Sequence, residues 1–422
     1  MTRPKCVQYM KKIILCMLCC LSSFVLAAQG IAISGKIVDK NTHNPISYAN
    51  IIVEKSGIGV ISNEDGEFVL NVEAISLKDT VKVTHIGYDA YVISLSDLKA
   101  LNKGIEMDIS PKVLDEIVIR PSDAVVIVKE AFQKIKKNYS QVPYGMKAFC
   151  REDVQENKKI IELAEALVEV YLSAYDGEKA VWEIRPLKGR KDRTTDTLNS
   201  FKFLPSRSYP DALFYQDMVH KSRDFLLTNF TENSDMELTD VINFNGQQVY
   251  EISFDEKENV SQPLFKGKIF IEAKSLAIVR VEYGASPNGT DFDNFNKAQK
   301  AVPENEAHYM HEGYYVIINY ERKDSIWYLH DIVGDYHFHV NKAAGNGIKP
   351  VDSRLDIHCE LSITDILNKQ ISKVKFVANR HAADWIFNKI NNYDPHYWDH
   401  INYIAPSRRI VENYDTLMNI KQ

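Results

Sequence analysis

Short runs of alternating apolar and polar residues, broken by turn residues, constrain the fold of this 422-residue chain more than any other feature. In "EFVLNV", Phe68, Leu70 and Val72 fall on one side, and Val69 and Asn71 fall on the other. This alternation is typical of a half-buried β-strand, because successive side chains of a strand point to opposite faces. The chain is therefore predicted to be mainly β.

The residues just before that strand, "GVISNEDG", predict a tight turn. Asn63 and Asp65 can bond to nearby backbone groups, and Gly66 tolerates a positive φ. We expect these residues to turn a hairpin, with a structural role rather than a chemical one.

Two folded parts follow from the change in pattern along the chain. About six strand-like runs between residues 31 and 120, with almost no helical periodicity, predict a β-sandwich over residues 29–120. Residues 121–422 are predicted to form an α+β domain. It begins with a helix that Ser122 caps and that carries an apolar stripe of Val125, Val128, Phe132 and Ile135.

Long antiparallel strands are predicted from about Met236 to Ile363. Asn245 and Gly246 form the strongest short hairpin signal in this region. Because tight links join successive runs, we expect one large, curved antiparallel sheet.

The first residues predict export. Residues 1–28 combine a basic segment, an apolar run and small residues, which is typical of a signal peptide cleaved after Ala27 or Ala28. No second apolar stretch approaches membrane length, so we expect no integral membrane segment after cleavage. The net charge of −6 becomes more negative when the basic segment is removed, which argues against nucleic acid as a partner.

The cysteine pattern predicts no disulfide scaffold. Four of the six cysteines lie in the signal segment, which leaves Cys150 and Cys359. These two are able to pair in an oxidising compartment, and the sequence leaves that question open.

The motifs of the first part resemble a known family. The segments "GKIVDKNTHNPISYANIIV", "GVISNEDGEF", "HIGYDAYVISL" and "VLDEIVI" occur in the order and spacing of the carboxypeptidase-like regulatory domain of Bacteroidetes envelope proteins. The resemblance implies a transthyretin-like β-sandwich that accompanies other domains and does not itself cut peptides.

The second part resembles the uncharacterised carboxy-terminal region that follows the same module in that group. The segments that carry this resemblance are "NYSQVPYGMKAFCRED", "EALVEVY", "LKGRK" and "YDPHYWDHINYIAP". The strand rhythm of "GKIFIEAKSLAIVRVEY" is also similar to lipoprotein-carrier half-barrels, which implies a carrier of acyl chains as an alternative.

Two groups of side chains are candidates for a site. A metal-dependent enzyme would need four imidazoles to converge, those of His308, His311, His337 and His339. The basic cluster "LKGRKDR" is either a solvated loop or a contact for an anionic headgroup or an acidic partner, through Lys188, Arg190, Lys191 and Arg193. No catalytic triad motif or phosphate-binding glycine loop is present, and no cofactor is predicted.

The sequence therefore predicts a non-enzymatic binding or scaffolding protein at the periplasmic face of the outer membrane. We expect an envelope protein or an outer-membrane complex as its partner. The acyl-chain carrier predicts an unfilled apolar trough on the large sheet, and the metal enzyme predicts converging histidines. A sheet face that is filled by side chains favours the scaffold.

Overall fold

The computed structural model describes residues 30–73, 77–101, 104–110, 121–175, 180–193, 213–222, 229–257, 260, 265–286, 308–343, 350–367 and 397–419. The predicted signal peptide lies outside these residues, as does the predicted boundary near residue 120. The fold is mostly β, as predicted. No helix in the described ranges is both long enough and apolar enough to cross a membrane.

The amino-terminal part is a sandwich of two small sheets. Its strands are β1 (Gly30–Asp39), β2 (Asn50–Val53), β3 (Gly59–Ile61), β4 (Glu67–Glu73), β5 (Thr80–Thr84), β6 (Tyr91–Ser94) and β7 (Ile105–Met107). One sheet has the order β4-β1-β7 and the other β3-β2-β5-β6. Their inward side chains form one buried core, to which the short helix α1 (Leu95–Ala100) adds Leu95 and Leu98.

The turn at residues 62–66 differs from its prediction as a hairpin. β3 and β4 belong to different sheets, so the turn carries the chain from one sheet to the other. The side chain of Asn63 accepts hydrogen bonds from the backbone N–H groups of Asp65 and Glu67. Gly66 has a φ of 76°, and a Cβ there would lie 2.4 Å from the carbonyl oxygen of Ile37.

Replacing Gly66 with alanine is expected to lower the free energy of unfolding by about 3 kcal/mol, because both the backbone angle and the space forbid a Cβ. Gly246→Ala is the matched control. Gly246 has a φ of 74° with no atom within 4 Å of its Cβ position. Only strain of about 1 kcal/mol is expected there. Equal losses in urea unfolding would show that the contact with Ile37 is unimportant.

The second part is built on one antiparallel sheet of ten strands. They are β8 (Tyr144–Glu156), β9 (Lys159–Leu172), β10 (Trp182–Arg193), β11 (Ser234–Phe244), β12 (Gln247–Glu256), β13 (Phe265–Glu272), β14 (Ile278–Ala285), β15 (His308–Lys323), β16 (Ile326–Lys342) and β17 (Val351–Leu367). The order is β10-β9-β8-β17-β16-β15-β14-β13-β12-β11. The predicted meander is confirmed. Its last strand, β17, pairs with β8. The predicted Asn245-Gly246 turn joins β11 to β12, with both residues at positive φ.

Three helices complete the described part of this region: α2 (Pro121–Asn138), α3 (Phe230–Asn233) and α4 (Arg408–Asn419). Ser122 was expected to cap α2, but the helix already begins at Pro121, a residue whose fixed φ suits the first helical position. The apolar stripe was predicted correctly, since Val128, Phe132 and Ile135 are buried.

The two faces of the ten-stranded sheet have different covers. Helix α2 and residues 213–222 pack on one, here called the helix-covered face, where they join the strands in one large apolar core. Odd-numbered residues of β8, including Phe149 and Arg151, lie on the opposite face together with Ile61 of the sandwich. We call this the sandwich-side face. The sheet therefore has both faces buried over much of its width.

Candidate functional site

A C-terminal strap, residues 397–409, lies between the sandwich and the sandwich-side face. Trp398 anchors it with only 1% of its surface exposed. Its ring meets that of Phe149 edge-on at 5.2 Å between centroids. Its indole N–H donates to Oε2 of Glu165 at 2.7 Å. The strap is thus held by an aromatic contact and by a buried charged group at once.

Arg151 joins the strap to the sheet. It donates from Nε to Oε1 of Glu165 at 2.8 Å and from Nη1 to Oε2 of Glu360 at 3.0 Å. Its remaining donors reach the carbonyl oxygens of Ile404 and Ala405 in the strap. A guanidinium can make all of these bonds at once because it has five N–H donors that point in fixed directions.

Glu165 is ionised despite its burial. Burial by itself raises the pKa of this carboxyl, but the charges of Arg151 and Arg190 outweigh it and hold the pKa below its ordinary value. Arg190 donates to the same carboxylate as the indole of Trp398. Because each charge has its partners, the buried cluster avoids the cost of an isolated ion.

The sandwich binds the strap through residues of the turn at 62–66 and of strand β4. Asn63 donates from Nδ2 to the carbonyl oxygen of Pro406 at 3.1 Å, and Asp65 accepts from the backbone N–H of Arg408 at 2.6 Å. Asn71 and Asn402 exchange hydrogen bonds between side chain and backbone. The turn at residues 62–66, which the sequence predicted, therefore has a second role, because it binds the C-terminal strap.

Arg409 bridges the two modules directly. Its guanidinium donates to both carboxylate oxygens of Glu64 in the sandwich, at 3.1 and 3.2 Å, and to Asp153 of β8. Asp153 is fully buried. Glu64 of the sandwich and Asp153 of the sheet thus bind the same guanidinium, that of Arg409, at the edge of the interface.

His358 of β17 continues this contact. Its Nδ1 lies 2.7 Å from Asp335, and its Nε2 lies 3.4 Å from the hydroxyl of Tyr48 in the sandwich. Glu360 and Glu64 lie 3.5 and 3.6 Å from Nε2. Burial lowers the pKa of His358, but the hydrogen bonds to Asp335 and Glu360 outweigh it and raise the pKa well above its ordinary value.

An open cleft of about 520 Å³ separates the modules beyond these contacts. The turn after β2 forms one wall and the β15–β16 turn forms the other. Charged side chains of both signs line it: Glu54, Lys55, Lys82, Glu321, Arg322, Lys323, Asp324 and Asp365. Of its lining residues, Glu321 accepts a hydrogen bond from Asn50 at 2.5 Å and lies 3.5 Å from the imidazole of His330.

The basic cluster lies in strand β10 and not in a solvated loop, so that alternative was wrong. Lys188 donates to the carbonyl oxygen of Tyr397 and lies 4.1 Å from the centre of its ring. Arg190 pairs with Glu165, and Lys191 lies 2.7 Å from Glu162. The side chain of Arg193 lies outside the described residues. Three of the four predicted contact residues therefore bind groups of this same chain.

The four candidate histidines are placed in separate surroundings. His337 pairs with Asp356 at 2.6 Å and His339 with Asp352 at 2.6 Å. His311 instead packs against the rings of Tyr314 and Phe338, and His308 lies opposite Asn341. Within the ranges that the structure describes, no three His, Cys, Asp or Glu side chains are arranged to hold a metal ion.

Cys150 and Cys359 are free, buried thiols on the helix-covered face. Burial raises the pKa of both thiols. Cys359 lies 3.8 Å from Glu152, a carboxyl whose pKa burial also raises. The two thiols are therefore neutral at ordinary pH, and a structural role fits them better than a nucleophilic one.

Sequence reasoning missed the strap and the buried ion cluster. The only signal was the segment "YDPHYWDHINYIAP", whose density of aromatic and polar residues stands out near the end of the chain. Its contacts join residues more than 200 positions apart, and no local pattern reports such pairs.

Comparisons with known proteins give one family and several distant structures. No curated protein matches the chain. Among solved structures, a candidate outer membrane lipoprotein-sorting protein domain from Vibrio parahaemolyticus has 10% identity and a TM-score of 0.27, covering 62% of this chain and 98% of its own. A DUF1329 family protein from Desulfovibrio piger ATCC 29098 has 12% identity and a TM-score of 0.27, covering 61% and 96%.

A third structure, MucB in complex with MucA(peri), has 8% identity and a TM-score of 0.17, covering 57% of this chain and 94% of its own. No functional conclusion follows from a likeness at these scores. The family model of the CarboxypepD_reg-like domain matches residues 33–119, which hold the sandwich. The predicted resemblance of the first part to that domain is thereby confirmed.

Proposed function

We propose that this protein is a non-enzymatic binding or scaffolding protein of the cell envelope, facing the periplasm. Its ligand or partner segment binds in the cleft between the sandwich and the ten-stranded sheet. The proposal rests on one observation: the two walls of this cleft are held in a fixed position relative to each other. The strap, Arg409 and His358 tie the two modules together through buried charged groups, so the cleft is preformed.

The lining of the cleft suits a polar, charged occupant. Side chains of both charges line its walls, and the buried imidazole of His330 lies beside the carboxylate of Glu321. Preformed concave sites with a few fixed polar groups are the usual place for ligands. A polypeptide segment or a zwitterionic ligand would find partners for both of its charges here.

The two other candidate functions have less support. The acyl-chain carrier needs an apolar trough, whereas helix α2 and residues 213–222 fill the helix-covered face with side chains such as Phe132, Phe214 and Met218. The metal enzyme needs converging imidazoles, whereas His337 and His339 each face a separate aspartate.

Native mass spectrometry of the protein, purified from its envelope without detergent, tests the proposal. The wild type is expected to carry a non-covalent mass that disappears on denaturation. Ser56→Trp places a large ring at the mouth of the cleft and is expected to abolish that mass. Lys99→Trp, at an exposed position on α1, is the control and should keep it.

An empty wild-type protein would contradict the proposal. Retention of the same mass by Ser56→Trp would place the ligand elsewhere. A mass in the range of a lipid would instead favour the carrier.

A further inference from the structure

A smaller pocket adjoins the cleft at the β11–β12 hairpin, and we call it the hairpin pocket. Its volume is about 160 Å³, and it is lined in part by Phe244 and Gln247 of the hairpin. It shares five lining residues with the cleft: Lys82, Thr84, Asn245, Glu321 and Arg322. A cavity of about 150 Å³ holds one six-membered ring. The hairpin pocket therefore has room for one ring of a ligand that lies in the cleft.

Four polar side chains of the hairpin pocket make no hydrogen bond or ion pair with any residue that the structure describes. They are those of Lys82 and Thr84 in the sandwich and of Asn245 and Gln247 in the hairpin. A hydroxyl group and a primary amide each donate and accept hydrogen bonds. A few polar groups placed at a concave site orient its ligand. The pocket thus offers donors and acceptors from both modules to one occupant.

The charges that line the hairpin pocket balance. The lining has two cations and two anions: Lys82, Arg322, Glu272 and Glu321. Arg322 lies 3.6 Å from Glu272. The imidazole of His330 lies 3.5 Å from Glu321 and 2.7 Å from Asp331. An ion of either sign therefore gains little net attraction here, and an uncharged ligand that forms several hydrogen bonds is favoured.

Apolar side chains form most of the remaining lining. They are those of Phe244, Val249, Val279, Tyr320 and Trp327. A sugar ring combines apolar C–H faces with hydroxyl groups at its rim, and each hydroxyl both donates and accepts. Aromatic side chains provide apolar area for such a face. The lining therefore matches an uncharged ring that is apolar on its faces and polar at its rim.

We propose that the hairpin pocket binds a sugar ring, and that the ligand of the cleft is a glycan. This inference rests on the proposed function, and it narrows the ligand of the cleft to a molecule that carries a sugar. The amides of Asn245 and Gln247 and the hydroxyl of Thr84 bond to the sugar hydroxyl groups. Charged substituents of the same glycan pair with the charged side chains of the wider cleft.

Saturation-transfer NMR on the exported protein tests the proposal. The probes are D-glucose, D-galactose, D-mannose and N-acetyl-D-glucosamine, with glycine, L-glutamine and L-lysine as probes that are not sugars. At least one sugar is expected to receive saturation from the protein, and none of the amino acids is. Titration of the sugar with the strongest signal then gives its Kd.

Two substitutions test whether that sugar lies in the hairpin pocket. Gln247→Met removes an amide and keeps the length of the side chain, and Thr84→Val removes a hydroxyl and keeps the shape. Each should raise the Kd about fivefold, which is the effect of one lost hydrogen bond. Urea midpoints verify that each variant is folded. If one of them unfolds, the other decides the test.

Matched controls lie on the same two strands. Gln248→Met changes an exposed residue whose side chain points to the opposite face of β12. Thr80→Val changes a residue of β5 that does not line the pocket. Both controls should keep the wild-type Kd.

Absence of saturation transfer to all four sugars would overturn the proposal, as would binding of L-glutamine without binding of any sugar. Equal Kd values in the pocket variants and the controls would place the sugar elsewhere and overturn it too. None of these results bears on whether the cleft carries a ligand, which native mass spectrometry measures separately. A bound mass that contains no sugar would leave the proposed function standing and overturn this inference alone.

Discussion

Replacing Arg151 with methionine is expected to lower the free energy of unfolding by about 3 kcal/mol or more. Arg151 is 2% exposed and bonds to Glu165, Glu360 and two carbonyl oxygens of the strap. Methionine fills similar space but has no charge and no donor. The loss would leave buried carboxylates with fewer partners and two carbonyl groups unpaired. Urea unfolding measures this difference.

Arg185→Met is the matched control. Arg185 pairs with Glu169 on β9, but half of its side chain is exposed. An exposed pair of this kind contributes about 0–1 kcal/mol. Similar losses in the two variants would show that the buried ion cluster does not stabilise the joined modules.

The stability that His358 provides is expected to depend on pH. Its pKa is raised in the folded protein, and the unfolded value is about 6.5. Its contribution is therefore fully present below about pH 6.5 and is lost as the pH rises toward the folded pKa, by up to about 1.4 kcal/mol per pH unit. The groups that face it from both modules are Tyr48, Glu64, Asp153, Asp335, Glu360 and Arg409.

His358→Gln isolates this effect from other titrations. The difference in unfolding free energy between wild type and variant should be largest near pH 6 and should shrink as the pH increases. His330, whose pKa is also raised, titrates equally in both proteins and cancels. A difference that stays constant, or that grows with pH, would contradict the assigned charge of His358.

Local patterns predicted most of the strands, because alternation and turn chemistry act between near neighbours. Asn245 and Gly246 adopt positive φ for the same reason that they signalled a hairpin. The pairing of β8 with β17 joins residues about 200 positions apart, and nothing in either strand alone specifies it.

The charged residues of β8 explain why the candidate site escaped prediction. Arg151, Glu152 and Asp153 look like solvent-facing residues, yet each is at most 2% exposed. They are buried because the sandwich and strap cover one sheet face while α2 covers the other. Which charge meets which partner is decided by that tertiary arrangement, as Arg190 and Glu165 illustrate.

The turn at Asn63 shows the same limit in a smaller way. Its local geometry followed from the residue types, since Asn63 bonds to the backbone and Gly66 supplies the positive φ. Its contacts with Pro406 and Arg408 did not follow, because the strap approaches from the other end of the chain.

The contacts of the strap, Arg409 and His358 fix the sandwich on the sheet, so the cleft between them is preformed. Spin labels on Val92→Cys in the sandwich and Lys159→Cys on β9, in protein that lacks residues 1–28, measure this directly. The two other cysteines of that protein, Cys150 and Cys359, are buried and should not be labelled. Double electron–electron resonance should give one narrow distance distribution. A broad or multiple distribution would contradict a fixed arrangement, and with it the preformed cleft.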